Sequence, residues 1–236
     1  MSLNAVIFDM DGVLIDTFEY HFRSWKKVFD EQHIPFSRQD NQKLLGLTRR
    51  RSLELILGEK IIPEERMQEI LHWKNAIFLE LISSVGPDNL SPGVGDLLQE
   101  LSTVRIPLAV ASASRNARLI LQKLGIGDYF QVIVDGNAVL SSKPAPDVFL
   151  HAARQLDEEP VNCLVIEDSA AGVQAALSVG MCVAGVGPPH RVGRAHAILP
   201  DLAGLRLKDL LSIYDQFLIQ QLAQKLGIFE PWLLQR

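Results

Sequence analysis

The sequence predicts an α/β fold in which a doubly wound parallel sheet carries an inserted helical cap domain. Two observations support this prediction. Short runs that are apolar on both faces alternate with helical patterns through the second half of the 236 residues, as in parallel sheets covered by helices on both sides. Residues 18–84 show helical periodicity without a convincing strand, and this segment is too long to be a crossover between two strands.

The core strands are predicted from five apolar runs bounded by turn residues. In chain order they are Ala5–Phe8, Leu108–Ala111, Val132–Val134, Cys163–Ile166 and Cys182–Val186. Helical patterns are found between and beside them at Gly93–Ser102, Ala117–Leu124, Asp147–Leu156 and Ala170–Val179. Right-handed crossovers through these helices would produce a Rossmann-like core.

The helical insert contains three apolar stripes at helical spacing. They are Trp25, Val28 and Phe29; Leu53, Ile56 and Leu57; and Ile70, Trp73, Ile77 and Leu81. Because the insert leaves the first strand just after two aspartates, we interpret it as a lid above them. A second small domain without a lid function would show the same pattern. The predicted domains are residues 1–16 with 85–236 for the core, and 17–84 for the cap.

A last helix is predicted near the C-terminus and is expected to dock on the core. Its apolar face is formed by Leu210, Leu211, Tyr214, Phe217, Leu218 and Leu222. The apolar segment Ile228–Leu234 has no clear period. We expect this tail to dock as well, with a contact to a second subunit as the alternative. The expectation is therefore a monomer, or a weak dimer formed through the tail.

The composition excludes several classes of partner. The net charge is −5 and no block of five like charges occurs, so neither nucleic acid nor an anionic membrane is expected as a partner. No apolar stretch reaches the length of a membrane span and no signal peptide is apparent, which predicts a cytoplasmic location. Cys163 and Cys182 lie in neighbouring predicted strands, so buried, reduced thiols are expected rather than a disulfide or a metal pair.

Two carboxylates, Asp9 and Asp11, end the first strand in the stretch AVIFDMDGVLIDT. Residues two apart on a strand point the same way, and Gly12 allows the chain to turn at once. Ligands bind at the carboxyl end of an open parallel sheet, so the pair indicates a reactive site. Taken alone, two aspartates in this spacing indicate an ordinary solvated turn as often as a reactive site.

Three more polar clusters follow later strands. Ser112–Asn116 (SASRN) offers a hydroxyl and backbone amides that suit a phosphate oxygen, and it would serve equally as a helix N-cap. In Ser141–Asp147 (SSKPAPD), the proline after Lys143 restricts the backbone of the lysine just before a helix, so its side chain can be held in one direction. Most surface lysines before proline, however, have no function. Glu167 and Asp168 follow the fourth predicted strand.

Together these clusters indicate phosphoryl transfer. Asp9, Asp11 and Asp168 offer a small number of hard oxygen ligands, which suits a hydrated Mg²⁺ ion shared with a phosphate, and no Cys or His in the pattern favours zinc. A nucleophilic aspartate, a second aspartate, a hydroxyl and amide cradle, a lysine and a divalent ion are the parts needed for transfer through an aspartyl phosphate.

With these four motifs in order and a helical cap after the first, nearly the whole chain resembles the haloacid dehalogenase superfamily of phosphotransferases. The resemblance implies that Asp9 is the nucleophile and that Asp11 is the general acid and base. It also implies a set of supporting residues: Thr17 as the hinge; Ser112, Ala113 and Lys143 around the transferring phosphate; and Asp9, Asp168, Glu167 and the Asp11 backbone carbonyl around Mg²⁺.

Within the superfamily, the cap resembles the beta-phosphoglucomutase branch. Three segments carry this resemblance: DTFEYHFRSWK from Asp16, LLGLTRRRS from Leu44 and WKN from Trp73. Two positions depart from the branch, since Arg115 replaces a lysine and keeps the charge, whereas Leu45 replaces a lysine and removes it. The resemblance implies a sugar-phosphate substrate, and the residues expected to bind it or its remote phosphate are His21, Trp25, Gly46, Arg49, Ser52, Lys74, Ser114, Arg115 and Asn116.

The implied reaction is the interconversion of beta-glucose 1-phosphate and glucose 6-phosphate through a 1,6-bisphosphate. A magnesium-dependent sugar-phosphate phosphatase is the alternative, because it shares the core motifs; Arg49, Lys74 and His21 favour the mutase, since only a mutase needs an anchor for the remote phosphate. A catalytically silent sugar-phosphate sensor would not need the nucleophile. A carbon–halogen hydrolase would need neither Asp11 nor a metal cluster.

Overall fold

Six parallel strands form the core sheet in this computed structural model, which describes residues 2–139 and 141–227. The strands are β1 (Ala5–Phe8), β2 (Leu108–Ala111), β3 (Val132–Val134), β4 (Cys163–Glu167), β5 (Cys182–Val186) and β6 (Ala197–Leu199). Their spatial order is β3-β2-β1-β4-β5-β6, and each neighbouring pair is parallel. β1 is therefore central, with β2 on one side and β4 on the other.

Helices cover both faces of the sheet, as predicted. They are α5 (Val94–Thr103), α6 (Ala117–Leu124), α7 (Asp147–Gln155), α8 (Ala170–Ser178), the short α9 (Pro189–Val192) and α10 (Leu207–Leu226). Alternate residues of β1 enter two separate hydrophobic clusters: Val6 and Phe8 pack with α5, α6 and α10, whereas Ala5 and Ile7 pack with α7 and α8. This two-sided burial explains why the strands are apolar on both faces.

The sequence prediction locates most of these elements correctly. Four strands have the predicted bounds, β4 extends one residue further to Glu167, and the bounds of the core helices differ by one residue at most. The sixth strand was not predicted. β6 pairs only with β5 at the edge of the sheet, Ile198 is 41% exposed, and Ala197 and Leu199 are half-buried. A short strand of mixed burial gives no continuous apolar run to recognise.

Four helices occupy the predicted insert. They are α1 (Phe18–Glu31), α2 (Arg38–Gln42), α3 (Arg49–Leu57) and α4 (Glu64–Leu81). All three predicted stripes contribute to a hydrophobic cluster of their own, distinct from the two clusters that cover the sheet. The inserted helical cap is thus present, while the boundaries at residues 17 and 84 remain a prediction.

The C-terminal helix differs in part from its prediction. Leu210, Tyr214 and Phe217 are buried in the core, whereas Leu211 is 40% exposed and Leu222 is 58% exposed. At about 100° per residue, the last two lie roughly 100–120° around the helix from Leu210, so the assignment of one apolar face was wrong for both. Leu218 packs against the core from a half-buried position. The predicted tail Ile228–Leu234 lies outside the described residues.

The two cysteines are free and buried, as predicted, on the neighbouring strands β4 and β5. Burial raises the pKa of each thiol to about 12. Among the described helices, none combines the length and the apolar character needed to cross a lipid bilayer.

Candidate active site

The polar residues that follow β1, β2 and β4 meet at the carboxyl edge of the sheet, beneath the cap. A cavity of about 680 Å³ lies between the two parts of the molecule. It is lined from the core by Asp9, Asp11, Asp168 and residues 113–116, and from the cap by Thr17, His21, Trp25, Gly46, Arg49, Ser52 and Lys74. Ser112, Lys143 and Glu167 are buried beneath this lining. The structure therefore brings the predicted site residues to one place.

Lys143 is the buried cation at the base of the site. Its Nζ donates to Asp9 Oδ1 at 2.6 Å, to Glu167 Oε2 at 2.7 Å and to the Ala111 carbonyl at 3.3 Å. The Phe149 ring lies on another side, with its centroid 4.7 Å from Nζ. Burial lowers the pKa of Lys143, but Asp9 and then Glu167 outweigh it and hold the pKa above its ordinary value. The lysine therefore remains charged beside Asp9.

Asp9, Glu167 and Asp168 form an acidic cluster in which one carboxylate oxygen of each lies within 4.8 Å of the others. Burial raises the pKa of Asp9 well above its ordinary value, and the charge of Glu167 adds to this effect. The same two causes, in the same order, raise the pKa of Asp168 to about 8. Three buried carboxylates that repel one another, with oxygen donors only, fit a hard divalent cation.

The loops around the cluster fix its geometry. Glu167 Oε1 accepts from the Asp168 amide at 3.1 Å and from the Ser169 amide and hydroxyl at 2.9 and 2.7 Å. Ser169 also caps α8, because its side chain accepts from Gly172 N. A Cβ at Gly12 would lie 2.3 Å from Asp168 Oδ2. Glycine is therefore required there for the close approach as well as for its φ of +87°.

Asp11 turns away from the acidic cluster and towards the cap. Thr17 Oγ1 donates to Asp11 Oδ1 at 2.5 Å, His21 Nε2 lies 3.6 Å from the same oxygen, and Ser112 Oγ lies 3.5 Å from Oδ2. Burial raises the pKa of Asp11, but the interactions with His21 and Thr17 outweigh it, so the pKa lies below its ordinary value. The Asp11 side chain is thus not a member of the cluster that would hold the cation.

On the cap side, His21 connects Asp11 to Lys74. Lys74 Nζ lies 2.8 Å from His21 Nδ1 and over the rings of Phe78 and Trp25, at 4.4 and 5.4 Å from their centroids. Burial lowers the pKa of Lys74 well below its ordinary value, and Arg49 lowers it further. Trp25 also stacks on Phe29 and so belongs to the cap core as well as to the cavity wall.

Arg49 and Arg115 face the cavity from opposite sides, without a carboxylate partner among the described residues. Thr48 caps α3, which fixes Arg49 as the first residue of that helix. Burial, and then the charge of Arg115, lower the pKa of Arg49 to about 10. An unbalanced pair of guanidinium groups is a suitable site for an anion.

The remaining predicted residues connect the loops of the site. Gly46 has a φ of +76°, and a Cβ there would lie 2.4 Å from Ser169 Oγ, so this cap loop packs directly on the core. Ser52 Oγ donates to the Thr48 carbonyl at 3.0 Å inside the cap. In the core, Ser112 Oγ accepts from Ser114 N at 3.1 Å, and Ser114 Oγ accepts from Asn116 N at 3.2 Å. The last two contacts shape the turn that was predicted as a phosphate cradle.

Two residues in contact with this site were missed by the sequence reasoning. Arg191, on α9 beyond β5, lines the cavity with its Nη2 3.5 Å from Asp168 Oδ2. Asn75, next to Lys74 on α4, accepts hydrogen bonds from Arg49 and Asn116 through its Oδ1. Arg191 could have been sought because it follows a core strand, and Asn75 because it adjoins the predicted site residue Lys74 in the WKN segment.

Comparisons with known proteins agree with this geometry. The haloacid dehalogenase-like hydrolase family matches residues 6–186. The beta-phosphoglucomutase of Bacillus subtilis is 41% identical over 223 residues, which cover 93% of this chain and 99% of that protein. A phosphorylated carbohydrates phosphatase of Thermotoga maritima is 33% identical over 184 residues, which cover 76% of this chain and 82% of that protein.

A solved structure shows the same arrangement of core and cap. The crystal structure of beta-phosphoglucomutase from Clostridium difficile superposes with a TM-score of 0.89 at 32% sequence identity, covering 92% of this chain and 99% of the other. The sheet order, the acidic cluster at its carboxyl edge and these similarities lead to one assignment. The chain belongs to the haloacid dehalogenase-like hydrolase family, within its beta-phosphoglucomutase-like branch.

Proposed function

We propose that this protein interconverts beta-D-glucose 1-phosphate and glucose 6-phosphate through phosphorylated Asp9 and a glucose 1,6-bisphosphate intermediate. One observation carries the proposal: a single cavity is lined both by the carboxylates of Asp9 and Asp11 and by the guanidinium groups of Arg49 and Arg115, and the charge of Arg115 lowers the pKa of Arg49. A sugar bisphosphate has two anionic ends, and such a cavity offers a place for each. The similarity to two beta-phosphoglucomutases over most of the chain supports this assignment.

In the first half-reaction, phosphorylated Asp9 gives its phosphoryl group to the 6-hydroxyl of glucose 1-phosphate. The sugar oxygen forms a bond to phosphorus while the bond between phosphorus and Asp9 breaks, and Asp11 accepts the hydroxyl proton. After the bisphosphate turns round, Asp9 attacks the phosphorus at C1, and Asp11 returns the proton to the departing sugar oxygen. Asp9 is phosphorylated again and glucose 6-phosphate is released.

Three sets of residues assist the phosphoryl transfer. Lys143 places a positive charge 2.6 Å from Asp9, which offsets the repulsion between a carboxylate and an anionic phosphate. We assign the Ser112 hydroxyl and the backbone at Ala113 to the phosphate oxygens, because they line the turn after β2. Thr17 and His21 orient Asp11 for both proton transfers.

We also propose that the acidic cluster binds Mg²⁺. Asp9, Glu167 and Asp168 supply only oxygen donors, as this ion prefers, and the resemblance adds the Asp11 backbone carbonyl. When bound, the ion supplies positive charge that neutralises the transferring phosphate. We assign five residues that line the cavity to the sugar and its remote phosphate: Arg49, Ser52, Ser114, Arg115 and Asn116.

A magnesium-dependent sugar-phosphate phosphatase is the second candidate. The Thermotoga maritima relative, a phosphorylated carbohydrates phosphatase, favours it. The two activities differ in the acceptor of the phosphoryl group, which is a sugar hydroxyl in the mutase and water in the phosphatase. A phosphatase has no need for a charged anchor at the remote end of the substrate, so Arg49 favours the mutase.

One incubation separates the two candidates. The protein is mixed with Mg²⁺, beta-glucose 1-phosphate and a trace of glucose 1,6-bisphosphate, and the products are identified by coupled enzyme assays. Glucose 6-phosphate is the expected product, whereas glucose with free phosphate would establish the phosphatase instead. Asp9→Asn should abolish either activity, and a chelator should do the same.

A further inference from the structure

The side-chain oxygen of Asn75 joins the cap to the core across the cavity. Arg49 Nη2 donates to Asn75 Oδ1 at 2.5 Å, and Asn116 Nδ2 donates to the same oxygen at 2.9 Å. Asn75 and Arg49 belong to cap helices, while Asn116 directly precedes α6 in the core. One neutral oxygen therefore accepts hydrogen bonds from donors that approach from both sides of the cavity.

This oxygen lies where positive charge is unbalanced. Arg49 forms no ion pair within the part of the chain that the structure describes. The positive charge of Arg115 lowers the pKa of Arg49, and the charge of Arg49 in turn lowers the pKa of Lys74. A carboxylate in place of the Asn75 amide would satisfy the same two donors and would also neutralise Arg49. The amide orients the guanidinium but leaves its charge available to a ligand.

Arg49 also keeps donors for such a ligand. Its Nη1 lies 3.4 Å from the Leu71 carbonyl and its Nη2 contacts Asn75, whereas a guanidinium has five N–H groups in a fixed plane. Leu71, Lys74 and Asn75 follow one another at helical spacing on α4, and the first two line the cavity. The helix thus fixes the orientation of Arg49 from one side.

We propose that Asn75 is a positioning residue for the remote phosphate of the substrate. Its Oδ1 holds Arg49 and Asn116 at one point, and the anion binds to the charge and the N–H groups that remain. This inference rests on the proposed function, because it assigns the remote end of a sugar phosphate to the part of the cavity that Arg49 and Asn116 line. Asn75 itself carries no step of the phosphoryl transfer.

The inference predicts an order of affinities that a purely structural role would not produce. Asn75→Ala removes the acceptor, so Arg49 loses its orientation and the affinity for a sugar phosphate should fall roughly 10-fold, about the value of one charge-assisted contact. Asn75→Asp is nearly isosteric and keeps both contacts, but its charge neutralises Arg49 and repels phosphate. The aspartate variant should therefore bind the sugar phosphate more weakly than the alanine variant.

The test measures binding by titrating each protein with glucose 6-phosphate. The change in tryptophan fluorescence, to which Trp25 and Trp73 of the cap contribute, reports the bound fraction. A chelator is present so that no phosphoryl transfer occurs, and circular dichroism melting checks that each variant is folded. Glu80→Ala, at an exposed position on the same helix, is the matched control and should bind as the unsubstituted protein does. If the alanine variant does not fold, the aspartate variant, which keeps both contacts, is sufficient alone.

Two results would overturn the inference. Wild-type affinity in both Asn75 variants would show that the residue does not position the anion. If the aspartate variant bound glucose 6-phosphate as tightly as the wild type and only the alanine variant had a lower affinity, Asn75 would serve only to join the cap to the core. Neither result bears on mutase activity, which is decided separately by whether the unsubstituted protein forms glucose 6-phosphate or free phosphate.

Discussion

Asp9 and Asp11 are two residues apart, yet their environments differ in ways that suit different tasks. Burial and the charge of Glu167 raise the pKa of Asp9, which lies in the acidic cluster. Asp11 is bound by Thr17 and lies near His21, which lower its pKa. In the proposed reaction, the positive charge of Lys143 stabilises the ionised carboxylate of Asp9 that attacks phosphorus, and Asp11 exchanges a proton beneath the cap.

The role of Arg49 predicts a selective loss of activity. Arg49→Ala should reduce mutase turnover roughly 10-fold to 100-fold, since a charge-assisted contact is worth about 1.5–3 kcal/mol. Formation of the aspartyl phosphate from a small phosphoryl donor should be affected much less, because such a donor has no remote phosphate. Steady-state kinetics with beta-glucose 1-phosphate and phosphorylation by acetyl phosphate measure the two effects. Unchanged mutase turnover would contradict the remote-phosphate assignment.

Lys143 should contribute to stability as well as to catalysis. Lys143→Met removes the cation between Asp9 and Glu167, both nearly inaccessible to solvent, so the free energy of unfolding should fall by about 3–5 kcal/mol. Adding Glu167→Gln removes one unpaired charge and should restore part of the loss. Urea denaturation in the presence of a chelator provides the comparison. Equal stability of the single and double variants would argue against the charge explanation.

At the level of elements, the loop between α2 and α3 makes direct contact with the core. Gly46 lies in this loop with a positive φ and against Ser169. The amide of Thr48 in the same loop donates to Ser142 Oγ of the core at 3.1 Å. Both contacts join cap residues to loops that flank the acidic cluster, so the position of this loop determines how the substrate is enclosed.

Gly46→Ala should therefore impair substrate binding more than folding. A left-handed residue with a side chain costs about 1–2 kcal/mol, and here the added Cβ would also press on Ser169 Oγ. Gly58→Ala is a matched control, because Gly58 has a φ of +60° but a Cβ added there would meet no atom within 4 Å. Both variants should melt at reduced temperatures, and only Gly46→Ala should raise KM for beta-glucose 1-phosphate. An equal rise in both would mean that strain alone is responsible.

The prediction of elements from sequence succeeds or fails according to burial. β1, β2, β3 and β5 are uniformly apolar runs between turn residues, so their bounds were predicted without error. β6 is half-buried and gave no such run. On α10, leucines occur on the exposed side as well, so the residue types alone could not separate the buried face of Leu210 from the exposed Leu222.

For the whole molecule, the acidic cluster should couple cation binding to stability. If the proposed site is correct, Mg²⁺ would relieve the repulsion among Asp9, Glu167 and Asp168 and would bind only the folded chain. It should then raise the melting temperature; at 100 times Kd the stabilisation is about 2.7 kcal/mol. Asp168→Asn removes one ligand and should lose most of this increase. Differential scanning fluorimetry with and without a chelator measures it. The same increase in the variant would place the cation elsewhere.

The candidate site was predictable from sequence where the motifs follow core strands. Asp9, Ser112 and Asp168 come directly after strands, so the sheet alone brings them together. The contacts of Asn75 and Arg191 depend instead on how the cap sits on the core and on the path of the chain after β5. The sequence marks the neighbourhood of both residues, one after a core strand and the other beside Lys74, but their partners are set by tertiary packing.

The central position of β1 has a consequence for how the chain is made. Phe8 pairs with Val110 on one side and with Ile166 on the other, so β1 is synthesised well before either of its two partner strands. Until then, its apolar residues lack both neighbours. Because such long-range pairing is slow and leaves apolar surface exposed in the meantime, we expect the growing chain to be most prone to aggregation before β4 has been synthesised.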